Sequence, residues 1–225
     1  METLPQLSGP QYAPLNGEPA RSLVIFLHGV GANGQDLIGL APLFQRAVPD
    51  ALFISPDAPF PFDLRGENAR QWFSLQVLSP AGRLKGVREA APILDAFIDQ
   101  QLEKLGLDDT RLALVGFSQG AMMALHVGPR RKGRIAGILG YSGMVCGGDR
   151  LADETSARPP VLMVHGDDDA IVPPAAMEQT VEALQAAEFD VRAHMRPGLG
   201  HGIDEEGIRL GAAFLSDVLG GPTAQ

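Results

Sequence analysis

The sequence predicts an α/β protein whose central sheet is mainly parallel and carries helices on both faces. Short apolar runs, such as residues 22–27 and 160–165, are typical of strands that are buried on both sides. These runs alternate along the chain with segments whose apolar residues have helical spacing. Several runs end in glycine-rich or polar loops, and in such sheets ligands bind at the carboxyl ends of the strands.

The first quarter of the chain combines a proline-rich start with two buried strands. Residues 1–20 predict an extended arm with an edge strand near 11–15, because proline suits only edge strands. Residues 22–27 form the first central strand, residues 36–47 have helical spacing, and residues 51–55 form a second strand.

Residues 56–84 predict an irregular loop beside the binding site. The segment is rich in proline and shows little periodicity, yet it contains Trp72 and Phe73, which favour packing over disorder. We expect these two side chains to form a wall that faces the substrate. The alternative is an aromatic cluster packed beneath a surface loop.

The remaining elements follow the same alternation. Helices are predicted over 87–105, 121–125, 174–187 and 204–219, strands over 112–115, 134–141, 160–165 and 190–195, and a loop over 142–158. No linker-like break in composition occurs, so we expect a single domain over residues 1–225.

Residues 116–120 carry a G-x-S-x-G pattern between a predicted strand and a predicted helix. This order is typical of the nucleophile elbow of an α/β-hydrolase, in which Ser118 sits on a sharp turn. The flanking glycines are needed because side chains there would collide with the neighbouring strand and helix. The following helix directs its unpaired N–H groups at a developing anion.

Composition excludes several other classes of function. The formal net charge of −9 argues against nucleic-acid partners and anionic membranes, which require clustered Lys and Arg. No apolar run is long enough to cross a bilayer, and no signal peptide is visible at the start. The single cysteine, Cys146, excludes an intrachain disulfide and lacks an elbow pattern, so we expect a structural thiol and a cytoplasmic protein.

A hydroxyl nucleophile needs a base and an acid that orients the base. In α/β-hydrolases the acid and then the histidine follow the serine, which leaves His194 and His201 as candidates for the base. His194 lies within a strand, whereas His201 lies in a glycine-rich loop, so we favour His201. The acid is one of three aspartates at 167–169, between which spacing does not choose; a calcium loop would need wider spacing and a closing Glu.

The oxyanion hole is expected to use backbone N–H groups. One comes from Gln119, the residue after the nucleophile, and the other from the first loop after a strand, through Val30. We interpret His28 and His165 as structural, since a zinc site would need more ligands at matched spacing. No metal or organic cofactor is expected.

Five motifs together resemble one known family. They are Leu-His-Gly-Val-Gly at 27–31, Gln-Trp-Phe at 71–73, the elbow at 116–120, His-Gly-Asp-Asp-Asp at 165–169 with Val-Pro at 172–173, and Gly-His-Gly at 200–202. Over residues 20–219 the chain is similar to the carboxylesterase/acyl-protein thioesterase (phospholipase/carboxylesterase) family. The family pattern H-G-x-x-D-x-x-V-P implies that Asp169 is the acid, and it supports Val30 and Gln119 as oxyanion donors.

The resemblance also shows departures from the family pattern. Val30 stands where many members have Leu, Ala170 where they have Pro, and Ala121 where a third Gly is frequent. None of these changes removes a catalytic group, but we expect Val30 to influence the shape of the acyl pocket and therefore the preferred chain length.

The resemblance implies an α/β-hydrolase fold without a large cap domain and a serine carboxylesterase that acts on small acyl esters or thioesters. Short- to medium-chain esters are the expected substrates. The alternatives are a thioesterase or lysophospholipase that acts on longer chains and, more distantly, a non-catalytic binding protein of the same fold. The expected oligomeric state is a monomer or a homodimer, without integral membrane association.

Overall fold

The structure, a computed structural model, describes residues 4–220 except residues 65, 67, 77 and 78. Its central element is a seven-stranded sheet in which the first edge strand is antiparallel and all the others are parallel. In spatial order the strands are β1 (Gln11–Tyr12), β3 (Ala51–Ile54), β2 (Ser22–Leu27), β6 (Leu112–Phe117), β7 (Gly137–Tyr141), β8 (Val161–Gly166) and β9 (Val191–Arg196). The predicted mainly parallel sheet is therefore confirmed.

The central strand β2 shows why both faces of the sheet carry helices. Leu23, Ile25 and Leu27 pack into the core on one face, whereas Val24 and Phe26 pack into the core on the other. Every residue of the strand is buried. Because successive side chains of a strand point to opposite faces, a continuous apolar run needs a covering layer on each side.

Two groups of helices supply these layers. The described residues form α1 (Gly34–Ile38), α2 (Ala41–Phe44), α3 (Pro80–Leu105), α4 (Gln119–Val127), α5 (Leu151–Glu154), α6 (Pro174–Ala186) and α7 (Glu205–Leu219). Residues of α3, α4, α5 and α6 join the core on the face that contains Leu23. Residues of α1, α2 and α7 join the core on the opposite face.

Helix α3 begins earlier than the sequence predicted. Helical spacing is clear only from residue 87, but the helix starts at Pro80, so the last five residues of the predicted irregular loop 56–84 are helical. The start is set by local signals: the Ser79 hydroxyl accepts the N–H of Gly82 at 3.1 Å, and Pro80 occupies the first turn. The helix ends at Gly106, which has a φ of 65°, as its glycine suggests.

Two other predicted segments also differ from the structure. The helix expected over 36–47 is divided into α1 and α2, since α1 stops at Gly39 and the chain restarts at Leu40. The loop expected over 142–158 contains the short helix α5. Both differences concern short elements, where tertiary contacts outweigh local spacing.

Between β3 and α3 the described chain forms a small hairpin, β4 (Phe60–Pro61) with β5 (Arg70–Gln71), in place of a larger inserted unit. No part of the described chain builds a large cap over the carboxyl edge of the sheet. Among the described residues, every helix is too short or too polar to cross a membrane.

Candidate active site

Three loops at the carboxyl edge of the sheet bring Ser118, Asp169 and His201 together. They follow β6, β8 and β9, respectively. The Oγ atom of Ser118 lies 3.0 Å from Nε2 of His201, and Nδ1 of His201 lies 2.7 Å from Oδ2 of Asp169. With its Nδ1 proton donated to the carboxylate, the imidazole presents Nε2 as an acceptor for the Ser118 hydroxyl. This arrangement can activate a serine oxygen as a nucleophile.

The turn at Ser118 explains the two glycines of the elbow. Ser118 has φ 54° and ψ −117°, a conformation that L residues rarely adopt. A Cβ atom on Gly116 would lie 2.4 Å from the backbone nitrogen of Ala121, and one on Gly120 would lie 1.8 Å from the carbonyl oxygen of Leu27. The glycines therefore let strand β6, helix α4 and the neighbouring strand β2 approach closely enough to project the serine.

Asp169 is the aspartate of its loop that the fold buries, while its two preceding neighbours are exposed. Its Oδ1 accepts the N–H groups of Ile171 and Val172, each at 2.9 Å, so Oδ2 is directed at His201. Burial acts to raise the pKa of Asp169, but the bonds from His201, Val172 and Ile171 outweigh it and lower that pKa below its ordinary value. The carboxylate is therefore charged where it meets the imidazole.

The backbone N–H groups of Val30 and Gln119 are available near Ser118. All three residues line the same cavity. Gln119 is the first residue of α4, so its N–H has no partner within a helix. Within the described chain, no hydrogen-bond acceptor meets the N–H of Val30. The N-terminus of α4 adds a partial positive charge, which favours an anion at this position.

Comparison with known proteins assigns the chain to a family. The phospholipase/carboxylesterase family matches residues 15–219 of the chain. The chain belongs to this family. Its membership confirms the predicted α/β-hydrolase fold and the predicted class of enzyme, a carboxylic ester hydrolase.

Individual relatives of this phospholipase/carboxylesterase family member are esterases and thioesterases by name. It is similar to esterase YpfH of Escherichia coli (strain K12), with 29% identity over 88% of this chain and 83% of that protein. It is also similar to acyl-protein thioesterase 1 of Gibberella zeae, with 29% identity over 85% of this chain and 88% of that protein. The crystal structure of esterase PE8 superposes with a TM-score of 0.89 at 38% identity, covering 95% of this chain and all of that one.

In this family member, Trp72 and Phe73 lie beneath the site instead of facing its cavity. Their exposed fractions are 0% and 3%, and neither lines the cavity around Ser118. The structure thus differs from the expectation that both side chains contact substrate. The alternative, an aromatic cluster packed beneath a surface loop, describes their position better, because the ring of Phe73 packs against Gly86 of α3.

The polar atoms of this segment instead hold the elbow. The amide oxygen of Gln119 accepts the backbone N–H of Trp72 at 2.7 Å, and its amide nitrogen donates to the carbonyl of Phe73 at 2.8 Å. The indole N–H of Trp72 donates to the carbonyl of His28 at 3.0 Å. Trp72 therefore connects the elbow to the loop that carries Val30.

The cavity beside Ser118 has a volume of about 400 Å³ and a largely apolar lining. From the 56–84 segment it receives Leu75 and Arg83. The apolar residues that sequence reasoning did not assign to it are Met122, Met144, Ile171, Val172, Pro173, Ala175 and Ala176. Their positions in the sequence could have indicated this role. Most of them lie just after the elbow or just after the Asp169 turn, where the family pattern continues with Val-Pro.

The other notable residues of the sequence occupy buried positions. His28 donates through Nδ1 to the carbonyl of Gly29 at 2.8 Å and accepts the N–H of Ala58 at Nε2 at 2.9 Å; burial lowers its pKa. Burial raises the pKa of the Cys146 thiol to about 11, so the thiolate is scarce at neutral pH. Among the residues that the structure describes, no group of three or more His, Cys, Asp and Glu side chains could hold a metal ion.

Proposed function

We propose that the protein is a serine carboxylesterase that hydrolyses short- to medium-chain acyl esters through Ser118, His201 and Asp169. The observation that carries the proposal is the hydrogen-bonded series from Ser118 through His201 to Asp169, which opens on an apolar cavity. A nucleophile beside an apolar cavity suits an acyl group whose carbonyl is attacked while its chain is removed from water.

In the first step, Oγ of Ser118 attacks the ester carbonyl and His201 takes the hydroxyl proton. Asp169 keeps the imidazole in its orientation and stabilises the cation that forms. The carbonyl oxygen becomes an oxyanion, which the N–H groups of Val30 and Gln119 bind. Removing one such donor typically costs about 2.7–4 kcal/mol of transition-state stabilisation. The imidazolium then protonates the departing alcohol, and the bond between the acyl carbon and the alcohol oxygen breaks.

In the second step, water replaces the alcohol. His201 removes a proton from the water as it attacks the acyl carbon of the acyl-Ser118 intermediate. Collapse of the second tetrahedral intermediate returns a proton to Oγ of Ser118 and releases the carboxylic acid. Every proton in the cycle passes through Nε2 of His201, and the proposed mechanism uses no metal or organic cofactor.

The second candidate is a thioesterase or lysophospholipase that acts on longer acyl chains. Similarity to acyl-protein thioesterase 1 of Gibberella zeae favours it as strongly as similarity to esterase YpfH favours the first. The two differ in leaving group and chain length, while the proposed catalytic residues are common to both. The exposed Ile171 at the cavity lining marks the open side, along which a longer chain would extend.

The test compares wild-type protein with Ser118→Ala on p-nitrophenyl esters. We expect wild type to hydrolyse them and Ser118→Ala to lose at least about three orders of magnitude in kcat. Equal rates for the two proteins would refute a serine mechanism and favour the non-catalytic alternative. A kcat/KM series over acyl chain length, with oxygen esters and matched thioesters, then decides between the two candidates.

The cytoplasmic location and the monomeric or homodimeric state remain predictions. Cell fractionation with an antibody to the protein tests the first. Sedimentation equilibrium over a range of protein concentrations tests the second.

A further inference from the structure

His165 is a buried histidine whose polar contacts lie at the loop that carries Asp169. It stands near the end of β8 and is fully buried. Its Nε2 donates to the carbonyl oxygen of Val172 at 2.8 Å. The same nitrogen lies 3.3 Å from Oδ2 of Asp169, the oxygen that also receives the proton of His201.

The other ring nitrogen of His165 lowers the stability of the folded protein. Within the described structure, its Nδ1 is buried without a hydrogen-bond partner. A buried acceptor left unpaired typically costs about 1–3 kcal/mol, and an apolar residue would avoid it. An apolar residue at this position would fill the same space at a lower free-energy cost. The contacts of Nε2 are therefore the feature that distinguishes histidine from an apolar residue here.

Those contacts connect His165, Val172 and Asp169 to one another. The N–H of Val172 donates to Oδ1 of Asp169, and the carbonyl of Val172 accepts from His165. The imidazole thus holds the carbonyl of the peptide unit between Val172 and Pro173, while Nε2 lies 3.3 Å from Oδ2 of Asp169. The titratable groups that the described structure places against Asp169 are His165, from β8, and His201, from the loop after β9.

We propose that His165 is a positioning residue for Asp169. It fixes the turn over residues 169–172, and its N–H edge moderates the negative charge on the oxygen that faces His201. The proposal rests on the proposed function, since it assigns His165 a task within the Ser118, His201 and Asp169 set. The same turn contributes Ile171 and Val172 to the cavity lining, so His165 also connects the acid to the wall.

The test uses His165→Gln and His165→Leu. The glutamine amide can place an N–H donor where Nε2 stands, whereas leucine fills the space without a donor. For His165→Leu we expect kcat to fall about ten- to a hundredfold, by analogy with the loss of a residue that holds a metal-ligating side chain in place. We also expect the acidic limb of its kcat/KM profile to move to higher pH, because an unmoderated carboxylate stabilises the imidazolium of His201 more strongly. His165→Gln should restore most of both properties.

A control variant and a replacement variant separate this proposal from a purely structural role of His165. His126→Leu, which removes another buried histidine that does not line the cavity around Ser118, should leave the acidic limb in place. If His165→Leu does not yield folded protein, His165→Asn replaces it, because its shorter amide cannot reach the carbonyl of Val172. The proposal would be overturned if the folded His165→Leu or His165→Asn variant kept the acidic limb of the wild-type kcat/KM profile. It would also be overturned if that variant and His165→Gln lost kcat equally.

A parallel measurement on Ser118→Ala keeps the two proposals apart. Wild-type activity in Ser118→Ala would refute the serine mechanism, whatever His165 does. An inactive Ser118→Ala together with an unperturbed His165→Leu would refute only the positioning role.

Discussion

The indole N–H of Trp72 donates to the backbone carbonyl of His28 at 3.0 Å. That carbonyl lies two residues before Val30, at the start of the loop expected to bind the oxyanion. The backbone N–H of Trp72 also donates to the side chain of Gln119 at 2.7 Å. One residue thus fixes the spacing between the two segments whose N–H groups we propose as oxyanion donors.

Replacing Trp72 with phenylalanine should lower kcat and leave KM nearly unchanged. The change removes the indole donor and leaves the buried carbonyl of His28 unpaired, at a cost of about 1–3 kcal/mol. Because the ring does not line the cavity, substrate binding should be little affected. Steady-state kinetics on a medium-chain ester measures both constants. Leu75→Ala, which alters the cavity lining itself, is the control and should raise KM. A raised KM with unchanged kcat in Trp72→Phe would instead show that the indole contacts the acyl group.

Asp169→Asn and Asp168→Asn form a matched pair. Asparagine at 169 can donate to His201 in place of accepting, which favours the wrong tautomer, and kcat should fall by about three to four orders of magnitude. Asp168 is exposed, so its substitution should change kcat less than about threefold. Both variants are measured with the same p-nitrophenyl ester. Comparable losses at the two positions would contradict the assignment of Asp169 as the acid.

Gly120→Ala should destabilise the protein and abolish most activity. Its new methyl group would lie 1.8 Å from the carbonyl oxygen of Leu27, and backbone atoms must move to accommodate it. We expect a loss of at least about 1–3 kcal/mol in the free energy of unfolding, measured in urea. Gly202→Ala is the control, because a Cβ there meets nothing within 4 Å although the residue adjoins His201. A stable, active Gly120→Ala would contradict the elbow geometry.

His126 should make the stability depend on pH. Burial, followed by the nearby Arg130, lowers its pKa from 6.5 to about 4. As the pH falls, the unfolded chain therefore takes up the proton first. The contribution of neutral His126 to the free energy of unfolding is fully present above pH 6.5. It declines as the pH falls towards 4, by an amount on the order of 3 kcal/mol.

Urea unfolding of wild type and His126→Leu between pH 7.5 and 4.5 tests this dependence. The variant should lose less stability than wild type as the pH falls. His194→Gln, which changes an exposed histidine on β9, should follow wild type. Parallel curves for wild type and His126→Leu would show that His126 does not titrate as its burial implies.

Local patterns were sufficient to predict most of the fold. The run over 22–27 and the strand β2 coincide, because a strand buried on both faces needs a continuous apolar sequence. The start of α3 differs from the prediction because apolar residues at helical spacing begin only at residue 87. Ser79 and Pro80 also occur in loops, so they do not by themselves show that the residues after them are helical. The same limit applies to residues 36–47, where Gly39 ended a helix that spacing alone would continue.

For the site, the sequence by itself determined the nucleophile elbow at Ser118 and the loops that carry His201 and the acid. The elbow depends on short-range sterics around Gly116 and Gly120, and the loops were located because each directly follows a predicted strand. Spacing left three adjacent aspartates open, and only the family resemblance pointed to Asp169. The tertiary structure supplies the physical difference, because the burial and hydrogen bonding that distinguish Asp169 from its neighbours arise from distant parts of the chain. It also decided that Trp72 supports the elbow from below, since the direction of a side chain in an irregular segment is set by what packs around it.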